Sequence, residues 1–196
     1  MSESVPPSLA ERKRVANRER IAFAAAQLVA ANGLAGTTVE RIAEAAEVGR
    51  ATFFRYFSSK EAAVAEGLSH QWLNRITEAV AGQPEGLSPS AALVAAFDEL
   101  AGGFSGIDDQ VRELATLTRS SPTLSAWTLQ VYVGYETAIA DLLATRFGDL
   151  TPTDPRPRLL GALAMASVRL ALDDWLAHGG SLPDLVHSAL AAITVH

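Results

Sequence analysis

Arg50, Thr52, Arg55, Tyr56 and Lys60 fall within one short run of the chain, and all five carry hydrogen-bond donors suited to a polyanion. A guanidinium can grip O6 and N7 of guanine in a major groove, while hydroxyl, phenol and ammonium groups hold phosphate oxygens. In this reading Arg50 is the base reader. Thr38, Tyr56 and Lys60 are assigned to phosphates, and Thr52 and Arg55 stand between backbone and base edges. Thr38 also reads as part of a helix start, and Tyr56 as packing across a turn. Lys60 sits in the first turn of a helix, where the dipole disfavours a cation, so a phosphate nearby would offset that cost.

The elements that must position these groups lie in the run TTVERIAEAAEVGRATFFRYFSSKEAA, Thr37 to Ala63. Thr37 and Glu40 have the spacing of a capping box, and Val39, Ile42, Ala43 and Ala46 follow at helical intervals. Glu47-Val48-Gly49 reads as a tight corner, after which a second short helix begins at Arg50. Phe53 and Phe57, one turn apart, anchor that helix inward and leave Arg50, Thr52, Arg55 and Tyr56 on its other faces. Ser58 and Glu61 form a second capping box that opens a third helix. Two short helices around a tight corner make a helix-turn-helix.

These residues resemble the TetR family of transcriptional regulators, whose signature runs threonine, x, aromatic, x, tyrosine or histidine, phenylalanine, two spacers, lysine. Thr52, Phe54, Tyr56, Phe57 and Lys60 occupy those places, and the apolar lead-in from Ile21 to Ala31, the Asn32-Gly33 stop and the Thr37-Thr38 pair look like the family's first helix and junction. Three positions depart from the pattern: Glu47 where glycine is usual, Gly49 where a capping serine is usual, and Phe54 where tyrosine is common. Glu47 brings a negative charge to the turn, Gly49 caps more weakly than serine, and Phe54 lacks a hydroxyl for a phosphate. The resemblance implies an all-α fold of about nine helices, with an amino-terminal three-helix DNA-binding unit and a helical ligand-binding and dimerisation body. It implies double-stranded DNA, a second copy of the chain and a small effector as partners.

Charge is distributed in keeping with that division. The formal net charge is −6, yet residues 1–60 hold nine Lys or Arg against six acids, and the remainder holds seven against sixteen. A basic head on an acidic body lets one end approach a polyanion. The expected organisation is a disordered tail at 1–11, a DNA-binding domain at 12–62 and a body at 63–196. Arg12 to Arg14 read either as an arm touching phosphates or as a solvated basic tail.

Beyond Lys60, breaks at Gly82–Gly86, Gly102–Gly106, Ser120–Pro122, Gly148–Pro157 and Gly179–Pro183 divide alanine- and leucine-rich stretches into six helices. Ser88-Pro89, Ser121-Pro122 and Asp154-Pro155 place a polar cap before proline, and Ser181 with Asp184 supplies a further cap. The first of the six helices enters the body with no flexible linker. The helix from Pro155 to about Ala177 is apolar nearly all round and must be covered on more than one side. Its Leu163, Ser167 and Leu170, with Leu185, Ala189 and Ile193 of the last helix, are the expected dimer interface. Small residues such as Gly161 permit close approach of another helix.

An input site is expected in the middle of the chain. Phe97 and Phe104 lie on one apolar stripe, Trp127, Val131 and Tyr135 on another, and an Arg169–Asp173 pair offers polar groups expected to be buried among them. By themselves such stripes are more often core than ligand site. The body also resembles, less specifically, actinobacterial TetR members thought to answer to hydrophobic or acyl-CoA ligands. The function implied is a repressor released from a near-palindromic site by a largely apolar molecule, the alternative being a helical binding or scaffolding module with a vestigial DNA-binding head. An enzyme is not expected. His70, His178, His187 and His196 are scattered, and no pair has metal-ligand spacing, so neither metal nor cofactor is expected. No cysteine, no signal-peptide core and no run long enough for a membrane span point to a cytoplasmic protein with no membrane partner.

Overall fold

The structure is a computed structural model that describes residues 8–120 and 122–193. Nine helices and no strand occur among the described residues: α1 Leu9–Asn32, α2 Val39–Ala45, α3 Arg50–Tyr56, α4 Lys60–Gly82, α5 Pro89–Gly102, α6 Asp108–Arg119, α7 Pro122–Ala144, α8 Arg156–His178 and α9 Leu182–Ala191. The all-α expectation and the six helices beyond Lys60 are borne out. The chain divides into two compact units, Met1–His70 and Gln71–His196.

The first unit starts earlier than its composition implies. Ser8 and Glu11 form a reciprocal capping box that opens α1, with Ser8 N–H donating to the Glu11 carboxylate at 2.7 Å. Ser8 is therefore a helix cap and residues 9–11 are helix rather than tail, and Arg12 to Arg14 are exposed on α1. Residues 1–7 of the expected tail lie outside the described residues. Ile21, Ala22, Ala25 and Ala26 of α1, Ile42, Ala43 and Ala46 around α2, Phe53 and Phe57 around α3, and Ala63 and Val64 of α4 are all buried. Phe53 is fully buried, and truncating such a ring to alanine costs about 3–5 kcal/mol. At Gly67 an added Cβ would meet the Ala22 carbonyl oxygen, so α4 rests on α1 backbone to backbone.

Each expected capping box is replaced by a single cap bond to the neighbouring hydroxyl. Thr38, not Thr37, caps α2 by accepting from Arg41 N at 3.3 Å. Thr37 is buried and donates to the Gly33 carbonyl at 2.9 Å. Ser59, not Ser58, accepts from Ala62 N at 3.2 Å at the start of α4. Three residues on from Thr38 and Ser59 stand Arg41 and Ala62 rather than an acid, so the carboxylate spacing pointed to Thr37 and Ser58; Thr37 is instead buried and turned to the Gly33 carbonyl, and Ser58 is exposed.

In the second unit, Val80, Leu93, Ile139, Leu143, Leu160, Met165, Trp175 and Leu190 form the core. Ser88 caps α5 and Ser181 caps α9, as expected. Ser121 lies outside the described residues. Asp154 accepts from Arg156 N at 2.9 Å before α8, and its carboxyl is held below the usual range by Arg156. Gly161 does allow close helix approach, but within the chain: its added Cβ would strike the Glu136 carbonyl of α7.

Candidate nucleic-acid interface

The corner between α2 and α3 explains how α3 is presented. Val48 N donates to Ala43 O at 2.9 Å and Glu47 N to Glu44 O at 3.0 Å, the paired bonds of a Schellman stop. That stop needs a left-handed residue, and Glu47 supplies it at φ 52. A β-carbon there costs about 1–2 kcal/mol relative to an unstrained backbone. Gly49 then caps α3 with extended backbone and no side-chain bond.

With Phe53 and Phe57 buried, Arg50, Ala51, Phe54 and Arg55 are all exposed on α3, and Thr52 is half-buried at its flank. Arg50 reaches Glu40 of α2 at 3.3 Å, and its guanidinium carbon lies 5.6 Å from the Phe54 ring centroid. Tyr56 is half-buried. Asn17 of α1 donates to its phenol oxygen at 3.4 Å, which, ahead of the nearby Arg55, draws the phenol's pKa below the ordinary tyrosine value. The phenol's own hydrogen stays available to donate outward, as does that of the exposed Thr38, whose oxygen only accepts.

Lys60 has a different occupation from the one its helix position implied. Its ammonium donates to the Leu34 carbonyl at 2.9 Å and to the Thr37 carbonyl at 2.8 Å. Two carbonyls in the α1–α2 connection, rather than a phosphate, offset its place at the start of α4.

Three further residues of this unit escaped sequence reading. Arg18 donates to both carboxylate oxygens of Glu66, donates to the Tyr56 carbonyl at 3.0 Å, and lies over the Phe57 ring at 4.6 Å. It therefore ties the end of α3 to α1 and α4. Asn17 and Arg18 meet partners 39 and 48 positions away, beyond any helical spacing. The one usable signal was Glu66, an acid beside the buried Ala63 and Val64, where a charge needs a partner.

Residues 21–66 match the model for bacterial regulatory proteins of the tetR family, and residues 87–196 match that for the MftR C-terminal domain. The HTH-type transcriptional regulator TcmR of Streptomyces glaucescens is 32% identical over 179 residues, which cover 86% of this chain and 77% of TcmR. The chain belongs to the TetR family. MftR of Mycobacterium tuberculosis (strain H37Rv) is 29% identical over 169 residues, 84% of this chain and 82% of MftR. Thermus thermophilus FadR, a TetR-family repressor solved in complex with lauroyl-CoA, has the same fold. Its TM-score is 0.65 at 24% identity, covering 91% of this chain and 96% of that one. This TetR-family chain is a transcriptional regulator with a DNA-binding helix-turn-helix.

In the body of this TetR-family chain, the expected input residues do not all come together. Tyr135 is core, and Phe97, Phe104 and Val131 pack against that core, while Trp127 is half-buried on α7. Phe104 meets Trp175 edge-on at 6.0 Å between centroids, and the Arg112 guanidinium lies 3.9 Å from the Trp175 centroid. The Arg169–Asp173 pair is half-exposed rather than buried, at 3.8 Å. Arg119 of α6 holds Asp173 more closely, at 2.7 Å. Burial pushes the pKa of the neighbouring Tyr132 phenol up.

Of the expected dimer residues, Leu163 and Leu170 are exposed, at 42% and 52%, whereas Leu185, Ala189 and Ile193 are half-buried. Ser167 is buried within the chain and cannot lie on a free face. Leu159 joins Leu163 and Leu170 on one exposed stripe of α8, and Leu129 and Val133 are exposed on α7. Among the described residues no three His, Cys, Asp or Glu are grouped to hold a metal, and no helix is long and apolar enough to cross a membrane.

Proposed function

We propose that the chain is a homodimeric repressor whose two α3 helices enter successive major grooves of a near-palindromic operator, with centres about 34–36 Å apart or a multiple of that. The observation that carries this reading is the exposure of Arg50 and Arg55 on the outward side of α3, above the buried Phe53 and Phe57. Arg50 reads a guanine. Thr38, Tyr56, Thr52 and Arg55 hold the backbone or neighbouring base edges, and Lys60 braces the α1–α2 connection while keeping one N–H for a phosphate. The reading head comprises residues 8–62 and the body residues 63–196. Acting on chromosomal DNA, the protein works in the cytoplasm.

The dimer closes on the exposed leucine stripe of α8, Leu159, Leu163 and Leu170, with Leu185, Ala189 and Ile193 of α9 at its margin. The effector is a largely apolar molecule of the acyl-CoA kind. Support comes from FadR's lauroyl-CoA complex and from the aromatic and cationic groups of the body. Phe97, Phe104, Trp127, Val131 and Tyr135 contact its apolar part, with Arg169 and Asp173 at a polar end. Binding tilts α4, which contributes residues to both units, and changes the separation of the two heads. A coupling of about 1–3 kcal/mol suffices to change operator occupancy about 5–150-fold.

A gel-shift series against DNA upstream of the chain's own coding sequence tests this, with and without lauroyl-CoA at moderate salt. A sequence-dependent shift relieved by lauroyl-CoA is the expected result. No sequence-dependent shift for any dimer would overturn the regulator reading, and a shift indifferent to lauroyl-CoA would overturn the effector class alone.

A further inference from the structure

The outward side of α3 is not uniformly cationic. At about 100° per residue, the exposed side chains follow one another around an arc of roughly 140° in the order Arg50, Phe54, Ala51, Arg55. Two apolar groups therefore lie at the centre of the face and two guanidiniums at its edges. Phe54 is 47% exposed, and its ring stands edge-on to the buried Phe53 at 5.3 Å and 87°, a contact that fixes how it projects. Arg50 and Phe54 are neighbours, with the guanidinium carbon 5.6 Å from the ring centroid.

A phosphate gains nothing from an unsubstituted phenyl ring. Among the groups on major-groove base edges, the thymine 5-methyl alone is apolar, and alanine methyls and phenylalanine rings are suited to it. Resting on the DNA-binding reading above, we propose that Phe54, with Ala51 beside it, reads the 5-methyl group of a thymine next to the guanine read by Arg50. The apolar ring of Phe54 is then a source of specificity in itself, independent of any phosphate contact. The two apolar side chains prefer thymine, and the flanking arginines fix register.

Selection from random duplexes with the full-length protein yields the operator, and each of its thymines is then replaced in turn by deoxyuridine, which differs only in lacking the methyl. One thymine per half-site, adjacent to a guanine, is expected to lose about fourfold in affinity on that replacement, the value of one buried methyl. Phe54→Ala is expected to bind the thymine operator more weakly and to be indifferent to the replacement, while Phe54→Tyr keeps the discrimination. Far-UV circular dichroism checks that the variants retain wild-type helicity. Should Phe54→Ala fail that check, Phe54→Gln, which keeps a side chain of helical propensity but no apolar ring, takes its place with the same expected indifference to the replacement. A selected operator with no methyl-sensitive thymine, or a folded Phe54→Ala with the wild-type ratio between thymine and uracil, overturns the proposal. If no sequence is enriched at all, the DNA-binding reading falls and this one falls with it.

Discussion

Arg18 and Glu66 form a two-point clamp in which Nε and Nη2 of the guanidinium meet both carboxylate oxygens, at 2.6 and 2.5 Å. A third donor, Nη1, holds the Tyr56 carbonyl, so one side chain joins α1, the end of α3 and the first turns of α4. Arg18→Ala leaves a buried carboxylate with no cation. The expected loss is about 2 kcal/mol, below the range for fully buried pairs because Arg18 is itself half-exposed. Urea denaturation checks it. Arg18→Lys is expected to recover only part, since an ammonium cannot make the forked contact.

On the proposed reading of α3, Glu40, 3.3 Å from Arg50, competes with DNA for that guanidinium. Both side chains are exposed, so the ion pair contributes under about 1 kcal/mol to stability, and Glu40→Gln is expected to leave the melting temperature nearly unchanged. Operator affinity should rise about three- to fivefold, because one carboxylate is removed from the phosphate-facing side and Arg50 is released. Fluorescence anisotropy with a labelled operator duplex measures this. Unaltered affinity would place Glu40 clear of the phosphates.

Glu47 holds a left-handed backbone at φ 52 without being glycine. Glu47→Gly relieves strain of about 1–2 kcal/mol and gives back about 0.5–1 through greater freedom of the unfolded chain. The net expectation is a gain of about 0.5–1 kcal/mol, seen as a rise in melting temperature of about 1–4 °C. Glu47→Ala, which keeps the β-carbon, should show no such rise and separates backbone relief from loss of charge.

Tyr132 gives the body an alkaline limit. Burial raises its folded pKa above the value in the unfolded chain, so as pH climbs past about 10 the unfolded state loses this proton first. The tyrosine's contribution is fully present below that pH and is lost as pH rises through the folded pKa. Tyr132→Phe is therefore expected to flatten the decline of stability above about pH 10. Parallel chemical denaturation of the two proteins checks this, and identical alkaline slopes would count against it.

The reading head was legible because its determinants are local. Phe53 and Phe57 one turn apart, and a corner at Glu47 to Gly49, place α3 without knowledge of any distant residue. What escaped was whatever required a partner far along the chain. Arg18 finds Glu66 at a separation of 48 positions, and Arg119 takes Asp173 at a separation of 54, displacing the nearer i,i+4 Arg169 that periodicity offered. Tandem hydroxyls were a second source of error: the Thr37–Glu40 and Ser58–Glu61 spacings pointed to the first hydroxyl of each pair, whereas the second, Thr38 and Ser59, makes the cap bond. On α8, composition showed too much apolar surface for one side but not which residues would face the chain's own core, so Ser167 was placed at the dimer interface when it is buried within the chain.

Lys60 gives the head a chemical handle that the body lacks. Lys13 and Lys60 are the chain's two lysines, and every cation beyond them is arginine or histidine. Lys13 is exposed on α1, whereas the Lys60 amine is occupied by two backbone carbonyls. Amine-directed reagents thus modify side chains of the head alone. Their attack on Lys60 keeps time with the release of the Leu34 and Thr37 carbonyls, which makes the reactivity of a single nitrogen a clock for the opening of the α1–α2 connection.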